Sequence, residues 1–103
     1  LNVERYCKIS NELRALLMEK YWEKFKGKSY EEAKGIYADY LKEEDAIFDK
    51  YGMEDKLDLS NYFRIHFKEI EEFQSTNPEH KDYDEYKDAK LKIISFASAK
   101  SME

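Results

Sequence analysis

The sequence predicts an all-α fold: a single-domain antiparallel four-helix bundle of up-down-up-down order spanning residues 1–103. Three observations carry that expectation. Apolar residues recur at three- and four-residue intervals along four long stretches, the spacing of one helix face. Only three Gly and one Pro occur in the chain, too little turn chemistry for a sandwich or barrel. The composition is 42% hydrophobic and 16% aromatic, enough to bury one core although 40% of the residues are charged.

The first helix is predicted over 3–26, where Val3, Tyr6, Cys7, Leu13, Leu17, Tyr21 and Phe25 form the stripe and Gly27 is the stop. Ser29 with Glu32 three residues on has the form of a capping box. It opens a second helix over 30–51, ended by Gly52. The third, over 57–75, carries Leu59, Tyr62, Phe63, Phe67, Ile70 and Phe73. Asn77-Pro78-Glu79 then reads as N-cap, first-turn proline and an acid at the positive end of the helix dipole. A fourth helix over 78–99 follows, with Tyr83, Tyr86, Ala89, Ile93, Phe96 and Ala97 on its stripe. Its LKIISFA run has strand character, but no partner strand is evident. Short connections force sequential helices antiparallel, which gives the bundle. A three-helix arrangement, its C-terminal segment frayed or completing a partner, is the second choice.

Four charged or ionisable residues interrupt the apolar faces, one per helix. At about 100° per residue, Arg14, Glu44, His66 and Lys90 each fall inside a stripe. Antiparallel pairing about turns near 28, 54 and 77 brings Arg14 opposite about residue 42, Glu44 opposite about 64 and His66 opposite about 88. The four then form one polar layer at mid-bundle, with Tyr37, Tyr40 or Tyr86 as further partners. A lone buried charge costs several kcal/mol, so Glu44 is expected to pair, most naturally with Arg14. The plainer reading is that Arg14 and Lys90 extend their heads to solvent, that His66 is a satisfied core histidine, and that only Arg14 and Glu44 pair. The layer is alternatively a register device or a pocket for a small anion or metabolite.

No recognised chemistry is written into the chain. Cys7 is the single cysteine and reads as a small core residue rather than a nucleophile. Phe63 and Asn77 stand where a Glu would precede His66 and His80 in a carboxylate-bridged metal centre. Cys-x-x-Cys, His-Glu-x-x-His, EF-hand and glycine-rich phosphate motifs are all missing. No catalytic residue, metal or cofactor is assigned, and the protein is expected not to be an enzyme. No apolar run approaches a membrane span and no signal-peptide pattern opens the chain. With one cysteine, the expectation is a cytoplasmic protein. Lys outnumbers Arg fifteen to three, a bias of A+T-rich coding sequence that points to a low-GC microbe, a virus (phage included) or a mobile element.

The net charge of −5 argues against direct nucleic-acid binding. Between Lys28 and Asp58 ten acids meet five lysines, so that stretch alone holds the whole imbalance. The functional reading is a protein-binding or inhibitory module. In it Glu32, Asp39, Glu43, Asp45 and Asp49 on the second helix occlude a basic site of a partner protein, with Trp22 as an anchor. A solvated face that keeps the protein soluble explains the same acids. Trp22 and Ile65 both fall off their stripes, and each fits an interface or a neighbouring helix equally. Two further functional readings stand beside this one: the small-anion pocket, and a structural subunit of a larger helical assembly.

Overall fold

The computed structural model describes residues 1–80 and 88–95, and these are helical throughout their regular parts, with no strand among them. The all-α class is therefore as expected. The helices are α1 (Val3–Ala15), a π-helical stretch (Leu16–Tyr21), α2 (Trp22–Phe25), α3 (Tyr30–Lys50), α4 (Leu57–Thr76), a 3-10 turn (Pro78–His80) and a helical segment over 88–95, labelled α5.

The first predicted helix is one continuous rod made of α1, the π stretch and α2. Asn2 caps it, its side chain accepting from the Arg5 amide at 2.8 Å. Gly27, at φ +73°, ends it in the left-handed region that suits glycine. The π stretch has a packing consequence. Leu17, Tyr21 and Phe25 follow one another at intervals of four; an α turn of 3.6 residues overshoots that spacing, and the wider π turn undershoots it. The two errors cancel, and all three side chains are buried. The same widening turns Trp22 back toward the core, which is why it is half-buried.

Both expected ends of α3 are present. The Ser29 hydroxyl accepts from the Glu32 amide at 3.3 Å, and the Glu32 carboxylate accepts from the Ser29 amide at 3.4 Å. At the far end the amides of Gly52 and Met53 donate back to Asp49 and Phe48, at 3.0 and 2.9 Å, with Gly52 at φ +68°: a Schellman closure.

α3 lies antiparallel to the first rod around a core of Leu17, Tyr21, Phe25, Ala33, Tyr37, Tyr40 and Ala89. Tyr40 meets Tyr21 and Phe25 edge-on, with ring centroids 5.5 and 6.3 Å away, a favourable aromatic geometry. Seating Phe25 as far along α3 as Tyr40 shifts the register from the expected one. Glu12 meets Lys50 at 2.7 Å and Lys20 meets Glu43. Arg14 consequently comes opposite the turn that holds Phe48, beyond the expected residue 42.

α4 packs against α1. Leu59 packs with Ile9, Leu13 and Phe48, while Tyr62, Ile70 and Phe73 gather around Tyr6 and Cys7. As α4 advances from Leu59 to Phe73, its neighbours move back along α1 from Leu13 and Ile9 to Tyr6, Cys7 and Val3. His66 breaks the helical dihedrals at φ −116°, ψ 23°, and the expected stripe divides there. Ile70 is fully buried, whereas Phe63 and Phe67 are exposed. Asn77 closes α4, its side-chain amide donating to the Phe73 carbonyl at 2.8 Å, instead of opening the next helix. Of the predicted fourth helix, Pro78–His80 is a 3-10 turn and 88–95 is helical. Tyr83, Tyr86, Phe96 and Ala97 lie outside the described residues.

Candidate functional site

Among α1, α3, α4 and α5 lies a cleft of about 520 Å³. α1 supplies Tyr6, Ser10, Leu13 and Arg14, and the π stretch supplies Leu17. Tyr40, Glu44 and Phe48 come from α3, Leu59, Ser60 and Phe63 from α4, and Lys90, Ile93 and Ile94 from α5. Lys56, in the loop before α4, completes the lining.

Three of the four residues expected in a polar layer thus share one cavity. Arg14 is buried at 6% exposure, beside the equally buried Ser10. Its place follows from α-helical phase: Ser10 and Arg14 are one turn apart on the face that carries Leu13 and Leu17. Glu44 is paired with Lys56 at 3.2 Å. Lys56 also meets Asp45 at 2.5 Å and lies over the Phe48 ring, 5.6 Å from its centroid. Burial pulls the Lys56 ammonium down, but hydrogen bonds to Asp45 and Glu44 outweigh it and hold its pKa above the ordinary value. Lys56 is therefore a firm cation at neutral pH.

The fourth residue is elsewhere. His66 stacks on Tyr62 at 4.4 Å and meets Glu69 at 3.4 Å, both on its own helix, and it does not belong to the cleft lining. Lys56 escapes sequence reasoning because it sits in a polar loop with no periodicity to assign it a face. The nearest signal is the Glu44–Asp45 pair preceding it, which requires a cation from outside α3.

The chain matches no known family model, curated protein or solved structure. Its site is read from geometry alone.

The acidic surface of α3 is partly consumed by internal pairing. Glu43 accepts from Lys20 and from the Tyr21 hydroxyl, Asp45 holds Lys56, and Glu32 serves the capping box. Asp39 and Asp49 are exposed. Trp22 is half-buried and packs against the core with the Lys92 ammonium 5.8 Å from its ring centroid. Ile65 is 68% exposed. Among the described residues no three His, Cys, Asp or Glu side chains are grouped to hold a metal ion, and no helix is long and apolar enough to cross a membrane. The Cys7 thiol is fully buried.

Proposed function

We propose that this chain is a non-catalytic binding module that takes a small anionic ligand in its central cleft. One observation carries the reading: among the described residues, Arg14, Lys56 and Lys90 line a cavity together with Glu44 and mostly apolar walls. An apolar concavity with a few convergent polar groups is the usual form of a small-molecule site. The volume, about 520 Å³, sits within the roughly 300–1,000 Å³ of such sites. Among the described residues the lining offers cations and hydroxyls, groups suited to holding an anion. The proposal includes a four-helix arrangement: up-down for the first rod and α3, with α4 and α5 bordering the cleft. It also includes an intracellular setting, supported by the buried, single Cys7.

The test is a thermal-shift series against small anions, phosphate and simple carboxylates included, at constant ionic strength. A ligand present at 100 times its Kd stabilises the native state by about 2.7 kcal/mol. The expected result is a raised Tm with at least one anion, reduced in Lys90→Gln. A Tm unmoved by every anion overturns the reading.

A second reading keeps a protein partner with a basic surface. Exposed Asp39 and Asp49, one on each side of the paired Glu43 and Asp45, favour it. Capture of a basic partner that weakens as salt rises supports this occlusion mode, and capture indifferent to salt counts against it.

A further inference from the structure

We propose that α4 pairs with α4 of a second copy of this chain, antiparallel about a two-fold axis at Phe67. Phe63 and Phe67, one helical turn apart, are 47% and 43% exposed, although the same helix buries Ile70 completely. Phe63 rests on the Tyr6 ring, with centroids 6.2 Å apart, and still keeps nearly half of its surface in water. Beside the edge held by Tyr6 and Cys7, α4 thus presents a second apolar edge to solvent. Ile94 of α5, 51% exposed, lines the central cleft together with Phe63 and extends that surface. Single exposed apolar side chains are ordinary, whereas adjoining large ones mark a contact surface.

The charges beside Phe67 point to what covers it. Arg64 stands three residues before the ring and Glu71 four residues after it, both exposed, so a cation and an acid flank it one turn away on either side. Arg64 donates to the Asn61 side chain at 3.3 Å, and among the described residues neither Arg64 nor Glu71 is in an ion pair. At about 1.5 Å per residue the two lie about 4.5 and 6 Å from Phe67 along the helix. A second α4 turned end for end about Phe67 therefore brings Arg64 of each copy to Glu71 of the other, level to within about 1.5 Å, with the Phe67 rings between them. A parallel copy sets Arg64 against Arg64 and Glu71 against Glu71, which repels. The edge is self-complementary only in the antiparallel sense, as a two-fold contact between identical surfaces requires. One helix against one helix covers less than the roughly 1,200–2,000 Å² of a standard interface, so the dimer is a weak one that fills with concentration. Such pairing needs no ligand in the cleft and stands apart from the anion-binding reading.

Sedimentation equilibrium of the full chain from about 1 µM to about 1 mM tests the pairing. The expected result is a mean mass that climbs from one chain toward two and does not pass two. Phe67→Ser should weaken association at least about tenfold, since each copy gives up the burial of a large apolar side chain. Arg64→Glu and Glu71→Arg should each weaken it several-fold, because either change alone sets like charges against each other on both sides of the axis. Restoring the charges should restore the dimer: an equimolar mixture of the two single variants is expected to associate about as well as the parent chain, and so is the chain carrying both changes. Arg64 and Glu71 are exposed, so their variants should keep the parent circular dichroism and carry the test where Phe67→Ser fails to fold. A mass fixed at one chain at every concentration, growth beyond two chains, or association unweakened by a folded Phe67→Ser chain or by either charge reversal overturns the proposal. A mixture that associates no better than its separate components overturns it as well.

Discussion

The phenol of Tyr21 is buried at the junction of the π stretch and α2, where its hydroxyl donates to Glu43. Burial first, and the hydrogen bond to the carboxylate second, push its pKa from 10.0 up to about 12. The unfolded chain therefore releases this proton more readily than the folded one. The stability tied to it is complete below pH 10 and is lost as pH rises through about 12. Tyr21→Phe is expected to remove that component from an ultraviolet titration of the tyrosines and to cost about 1 kcal/mol at neutral pH for the lost hydrogen bond. The partner has the opposite sign. Hydrogen bonds from Lys20 and then Tyr21 hold the Glu43 carboxyl below its ordinary 4.5. Its contribution is present above that value and is lost as pH falls through the lower folded-state pKa. Urea midpoints of Glu43→Gln should accordingly be less sensitive to acidification below pH 4.5 than those of the parent chain. This scale was partly legible in the sequence. Arg14 and Glu44 declared themselves by interrupting apolar stripes, but the pairing of Glu44 with Lys56 depends on how a loop returns, and no periodicity encodes that.

Helix ends were the most readable elements, because their chemistry is local. Ser29 with Glu32, Gly27 and Gly52 each act within a few residues of chain, and the structure uses them as expected. The π stretch was not readable: Leu17, Tyr21 and Phe25 at intervals of four fit an α stripe nearly as well, so the composition of the turn does not reveal its width. Gly35 separates propensity from packing. It lies inside α3 with an ordinary helical backbone, and a Cβ built there meets nothing within 4 Å. Gly35→Ala should stabilise the protein by about 0.5–1 kcal/mol. For a domain near this size that is a rise of a few degrees, on the order of 4–8 °C per kcal/mol, in Tm. Gly52→Ala has equally open space around its Cβ but a φ of +68°, so the same change there should lower Tm. Calorimetry of the two variants reads both signs.

At the scale of the molecule, the decisive feature is where α4 is held. Four amphipathic stripes can be recognised in sequence, but the angle at which two of them meet is fixed by side chains far apart in the chain. Here Ile70 is buried against Tyr6 and Cys7, which fixes α4 on the N-terminal half of α1. The attachment is one-sided: Ile70 is fully buried while Phe63 and Phe67, on the same helix, are 47% and 43% exposed. Cys7 reports on this attachment, since its thiol has no exposure in the folded protein and reacts only when the cluster opens. Ile70→Ala should cost about 2–5 kcal/mol, most of it from the docking of α4. Labelling of Cys7 by a soluble disulfide reagent should then accelerate on the order of tenfold or more. Phe67→Ser removes an exposed ring and should leave labelling near the parent rate, as surface substitutions usually stay within about 0.5 kcal/mol. Equal acceleration by the two variants would place α4's anchorage in Phe67 as much as in Ile70.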